Sequence, residues 1–224
     1  MTDKKLAEEL AEGFKRINKA AMRAVGEGNF PEAISMLREG LALEEKLGLT
    51  VQMSESYANI GNVYFSAGEY DEALSCLKKA KEMFAKAGHT EGVISTSLTI
   101  STILELNEDY PGAQKQLDAA FRSARTGEHR GMLYYRIACL QHKTGLTQRA
   151  QESFSRALIE MERLNRQEDI LLCLLARASF FIDIDRQMLA SRDIARAKSI
   201  ARNNDKLMNL FINTAAEMGL DGQQ

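Results

Sequence analysis

The chain has 224 residues, with 29 Lys plus Arg against 31 Asp plus Glu and a formal net charge of −2. That balance argues against a nucleic-acid protein, which carries a clear basic excess. At 45% hydrophobic and 27% charged residues, the composition is that of an ordinary globular protein with room for a sizeable core. Cys76, Cys139 and Cys173 are too few and too scattered for a disulfide framework, and an odd count fits a reducing compartment.

The opening stretch, MTDKKLAEELAEGF, is charged and amphipathic, unlike a secretory signal. The longest apolar run, Ile170 to Ala176, is far short of the roughly 18 residues that a membrane helix needs. A cytoplasmic protein without membrane contact is therefore expected. Two prolines, no tryptophan and abundant Ala, Leu, Glu, Lys, Arg and Met predict helix throughout. Alternating Val/Ile/Thr runs that would mark a sheet are scarce.

One segment recurs. Asn29-Phe30-Pro31-Glu32-Ala33 returns as Glu69-Tyr70-Asp71-Glu72-Ala73 and as Asp109-Tyr110-Pro111-Gly112-Ala113, with the alanines 40 residues apart. Ala150 and Ala190 continue the series at 37 and then 40 residues. Each alanine is followed at i+4 by Leu37, Leu77, Leu117, Phe154 or Ile194, and at i+7 by Gly40, Ala80, Ala120, Ala157 or Ala197. That spacing draws one apolar stripe on a helix, with a small residue where a neighbour comes close. Gly28, Gly68 and Gly145 precede the recurring segment, Gly48 and Gly88 follow its helix, and Pro31 and Pro111 fall in its first turn.

The predicted elements, in chain order, are helix pairs over 3–27 and 31–47, 50–67 and 70–87, 90–107 and 110–126, 129–144 and 147–165, and 168–184 and 187–203. A last helix spans 205–218. In each pair the first helix is called A and the second B. Lys4, Lys5, Glu8, Glu9 and Glu12 give the first helix a polar outer face. Leu207, Leu210, Phe211 and Met218 suit the last helix to capping the edge of the fifth pair.

The second pair carries Tyr57-Ala58-Asn59-Ile60-Gly61-Asn62-Val63-Tyr64, then Gly68, Tyr70, Ala73, Leu77 and Ala80. This pattern resembles the tetratricopeptide repeat family, and the likeness extends over nearly the whole chain as five units. The fifth is degenerate, with Asp185 at the turn glycine and Gln187 at the aromatic position. The period of 40 exceeds the family's usual 34 and looks like its longer-helix branch. The resemblance implies an all-α fold: a right-handed superhelical solenoid of five antiparallel helix pairs with a capping helix, forming a single domain over 1–224. Neighbouring pairs must stack, because one pair alone cannot bury its apolar face.

No phosphate loop, zinc-protease helix, nucleophile elbow, calcium loop or paired Cys-x-x-Cys is present. Gly26-Glu27-Gly28 has neither a preceding strand nor a third glycine, so no nucleotide role is expected. His89 and His129, 40 residues apart, read as equivalent inter-repeat turn positions rather than metal ligands. Neither cofactor, metal nor enzymatic activity is expected.

In this family the A helices line a concave groove, and alignment carries that face onto this chain. Lys15 and Lys19 share a face of the first A helix, with Asn18 and Met22 beside them. Asn59 and Asn62 stand where the family holds a bound peptide's backbone, and an amide both donates and accepts. Tyr135, Arg136, His142 and Lys143 form a second, basic group near Cys139. Leu172, Leu175 and Ile182 make the C-terminal end apolar, as a hydrophobic pocket, a helix seat or packed core. Basic groups flanking neutral amides suit an acidic or carboxylate-bearing protein or peptide ligand. The carboxylate clamp of chaperone-binding members is not met. Asn59 matches its second-repeat amide, but Asn18, Met22, Ser95 and Thr99 stand at its other positions. The leading expectation is a non-enzymatic protein-interaction module. The alternatives are a stand-alone signalling regulator and a self-assembling scaffold that forms a homo-oligomer.

Overall fold

The structure is a computed structural model that describes residues 2–220, with side chains described from residue 12 onward. The polar face expected from Lys4, Lys5, Glu8 and Glu9 lies outside the described side chains. Eleven helices account for every regular element among the described residues: α1 (Thr2–Gly26), α2 (Phe30–Leu47), α3 (Thr50–Ala67), α4 (Tyr70–Lys86), α5 (Thr90–Leu106), α6 (Tyr110–Ser123), α7 (Gly127–Lys143), α8 (Thr147–Arg163), α9 (Gln167–Asp183), α10 (Gln187–Ala201) and α11 (Asp205–Glu217). Odd-numbered helices are A helices and even-numbered ones are B helices. Each A helix from α1 to α9 packs against the B helix that follows it.

The recurring stripe explains the pairing. Ala33, Ala73, Ala113, Ala150 and Ala190 are all fully buried, and so are Leu77, Leu117 and Phe154 at i+4. The i+7 residues Ala80, Ala120, Ala157 and Ala197 are buried with them. Alanine lets two helix backbones approach, and the larger residue one turn on fills the space between them.

Turns are made as the glycine and proline phases predict. Gly28, Gly48, Gly68, Gly88 and Gly145 all adopt left-handed backbone, with φ between 68° and 81°. Pro31 sits in the first turn of α2 behind the N-cap Asn29, whose side chain accepts from Glu32 N. Where glycine is missing, Glu108, Asn165 and Asp185 take the same conformation with φ of 60°, 52° and 58°.

The period breaks between the third and fourth pairs. Helix α6 ends at Ser123, short of the expected 126, and α7 starts at Gly127 behind the N-cap Thr126, whose hydroxyl accepts from His129 N. His89 and His129 are therefore not equivalent. His89 is the N-cap of α5, where its Nδ1 accepts from Gly92 N at 3.0 Å, whereas His129 lies inside the first turn of α7.

Two compact units result, 1–123 and 124–224. In the first, α1–α6 enclose a core that includes Ala21, Leu37, Ile60, Val63, Leu77 and Ile100. In the second, α7–α11 enclose one built on Phe154, Leu171, Leu174, Leu175, Phe180 and Phe181. Leu207 and Phe211 of α11 are buried in that core, with Leu210 and Met218 packed against it, so α11 covers α9 and α10 as expected of a capping helix. Leu175 is fully buried, with Leu172 and Ile182 packed against the same core, so this apolar stretch of α9 is core packing rather than a pocket or helix seat. Among the described residues no helix is long and apolar enough to cross a membrane.

Candidate functional site

In the first unit the candidate residues lie on α1 and α3. Lys15 and Lys19 are exposed one turn apart on α1, and Asn18 is half-buried between them. Asn59 on α3 donates through Nδ2 to Asn18 Oδ1 at 3.3 Å, so the two A helices are joined by an amide–amide bond one repeat apart. Asn62 is exposed one turn further along α3. Met22 projects from α1 at 61% exposure, adding an apolar element next to the lysines. On α5 the hydroxyl of Thr99 donates to its own helix at Ser95 O (3.4 Å), and that of Thr102 to Leu98 O (3.1 Å). The candidates on α1 and α3 are therefore two ammonium groups, three amides and a thioether.

In the second unit the candidates lie on α7. Tyr135 is packed against the core, and burial drives its phenol pKa up, with the Cys139 thiol as hydrogen-bond partner. Arg136 is half-buried and Lys143 is exposed. His142 does not stand in a purely basic group. Its Nε2 lies 2.8 Å from Asp183 Oδ2 at the end of α9, and its ring meets Phe180 edge-on with centroids 5.2 Å apart. Charge on this face is thus mixed, because the next A helix supplies a carboxylate.

Sequence reasoning did not pair Asp183 with His142. Their separation of close to one repeat is the signal that could have found the pair. The Asn18–Asn59 bond has the same origin. Cys76 and Cys139 are half-buried beside their respective cores, and Cys173 is fully buried, with its thiol pKa pushed up mainly by burial. None of them has the exposed, electropositive setting that lowers a thiol's pKa and makes it reactive. Among the described residues no three His, Cys, Asp or Glu side chains come together as a metal site would require.

A fold of stacked helix pairs, built on one small–large–small stripe and punctuated by left-handed turns, defines a helical repeat protein. Family profiles described as tetratricopeptide repeat match residues 16–86 and 133–158. Over those two segments the chain carries tetratricopeptide repeats. No curated protein sequence matches it. Among solved structures it is similar to BtubC from P. vanneervenii, at 19% identity over 90% of this chain and 87% of that one, with a TM-score of 0.78. It is also similar to the apo form of the quorum sensor NprR from B. thuringiensis, at 14% identity over 94% of this chain and 63% of that one, with a TM-score of 0.71. A Rap protein complexed with competence and sporulation factor aligns at 15% identity over 92% of this chain and 62% of that one, with a TM-score of 0.73.

Proposed function

We propose that the chain is a non-enzymatic interaction module of the cytoplasm and that the A-helix face of its first unit binds an extended segment of a protein partner. The observation that carries this is the surface around the Asn18–Asn59 bond, where exposed Asn62, Lys15 and Lys19 surround an amide pair already fixed in position. Amides match the alternating N–H and C=O groups of an extended backbone, and the two lysines match a carboxylate. Helices hold these groups in place, so little ordering entropy is lost on binding. Tyr135, Arg136, His142 and Lys143 on α7 are proposed as a second contact set in the other unit. There the His142–Asp183 pair favours a ligand that presents both signs of charge.

A stand-alone regulator is the second reading. It is favoured by the likeness to a quorum sensor and to a Rap protein complexed with competence and sporulation factor.

Phage-displayed peptide selection tests the proposal. Wild type is expected to enrich acidic extended sequences, and synthetic peptides of those sequences should bind at least tenfold more weakly to a Lys15→Glu/Lys19→Glu variant and to an Asn59→Ala/Asn62→Ala variant. Enrichment of peptides that bind all three proteins equally would move the site elsewhere.

A further inference from the structure

Counted from the N-cap residues Leu49, His89, Thr126, Arg166 and Asn204, one register position of the A helices is held by Gly61, Ser101, Ala138, Ala178 and Ala216. The first four are buried, and Ala216 is exposed. One turn earlier the position is held by Tyr57, Ser97, Tyr134, Leu174 and Ile212. Ser97 and Leu174 are fully buried there, whereas Ile212 is 54% exposed. In the earlier pairs a B helix covers this face. A Cβ on Gly61 would meet Leu77 of α4 at 2.7 Å, Lys79 of α4 lies over the Tyr57 ring at 4.0 Å, and Arg156 of α8 lies over the Tyr134 ring at 5.8 Å. Over α11 no such helix lies among the described residues. What remains is a groove of about 190 Å³ between α10 and α11, mostly apolar, bordered by Ile194, Phe211, Ile212, Ala216 and the single charged residue Lys198.

We infer that this groove is a self-association surface, and that α11 of a second copy occupies the place a B helix holds in the earlier pairs. Symmetry favours that occupant. A two-fold axis perpendicular to a helix sets two copies of it antiparallel, which is the relation of A to B in a helix hairpin, and the contact is closed because each α11 covers the other. The contact residues match the pair in α9, where aliphatic Leu174 and small Ala178 stand one turn apart as Ile212 and Ala216 do in α11. Charge agrees as well. The groove's one charged side chain is basic, and the exposed ends of α11 carry Asp205 and Glu217, while Lys206 beside Asp205 is paired with Glu168. This surface is independent of the A-helix face proposed for partner binding, so either assignment stands or falls alone.

One helix face is at the small end of specific interfaces, so association is expected to be weak, with a Kd of roughly 1–100 µM. Light scattering and sedimentation of the full chain across that range test it. The expected results are a mass that doubles with concentration, loss of doubling in both Ile212→Glu and Ala216→Glu, and retention in Ile159→Glu, which alters an equally exposed isoleucine on α8 (63% exposed). Circular dichroism verifies that each variant is folded, and both α11 positions are exposed, so charge there leaves the core intact. A wild type that stays monomeric up to 500 µM, or a dimer that survives both α11 substitutions, would overturn the assignment.

Discussion

Arg177 of α9 grips Asp193 of α10 with two parallel bonds, Nε to Oδ2 at 2.6 Å and Nη2 to Oδ1 at 2.9 Å, inside the core of the second unit. The carboxylate is 1% exposed and the guanidinium 11%, and the latter also lies near the Phe181 ring. Removing one partner leaves the other buried without compensation. Asp193→Ala is expected to cost about 3–5 kcal/mol, whereas the double replacement Arg177→Met/Asp193→Leu should come close to neutral. Urea unfolding of the three proteins checks the pair. Equal losses in the single and double variants would show that the charges are not coupled.

Glu44 is the odd member of a core position. Its equivalents are Phe84, Ala124, Met161 and Ala201, all buried, and Glu44 is itself only 2% exposed. Its Oε1 accepts from Ser56 Oγ at 3.0 Å, while Oε2 has no partner. Burial raises its pKa, with the nearby charge of Glu55 acting in the same direction and the Ser56 bond opposing. A carboxyl whose folded pKa is raised favours the fold at low pH, and that contribution is lost as pH rises past the ordinary glutamate value toward the folded one. Glu44→Gln, which keeps an acceptor for Ser56, should match wild type near pH 4 and exceed it by about 1 kcal/mol at pH 7. Stability curves at the two pH values that run parallel would refute this.

Left-handed turns without glycine store strain. Glu108 holds φ of 60° where other turns use glycine. Left-handed backbone costs a side-chain-bearing residue about 1–2 kcal/mol, and glycine's extra unfolded freedom returns about 0.5–1. Glu108→Gly is therefore expected to stabilise by about 0.5–1 kcal/mol, read as a raised Tm. Asp185→Gly should gain less, since a short polar side chain tolerates this region better. A lower Tm for Glu108→Gly would disprove the strain.

Gly61 lets α3 come close to α4. A Cβ there would lie 2.7 Å from Leu77 Cγ and 3.3 Å from the Ala73 carbonyl, and Leu77 is fully buried with little freedom to move aside. Gly61→Val should lose about 1–3 kcal/mol through overpacking, despite the poor helix propensity of the glycine it replaces. Denaturant titration measures it, and a stabilised variant would mean that the pair can spread at no cost.

What the sequence by itself determined is whatever depends on residues three, four or seven apart. The helices, their order, the Ala33–Leu37–Gly40 stripe and its four copies, and the left-handed turns at Gly28, Gly48, Gly68, Gly88 and Gly145 are written in local spacing, because a helix brings exactly those neighbours onto one face. Asp185 also takes the turn that its alignment with glycine implied, although glycine is absent. Only the tertiary structure decided which side chains from different helices meet. Asn59 reaches Asn18 and His142 reaches Asp183 across neighbouring A helices, and those distances depend on how far each pair rotates over the last, which no window of sequence states. The three-residue shift before α7, by contrast, was written in the sequence, since Ala150 follows Ala113 by 37 residues rather than 40. Equating His129 with His89 overlooked it, and the N-cap Thr126 is the true counterpart of His89. The exposure of Ile212 and Ala216 is likewise a tertiary fact. Ile212 matches the buried Leu174, and Ala216 the buried Ala138 and Ala178, and the absence of a covering helix among the described residues sets them apart.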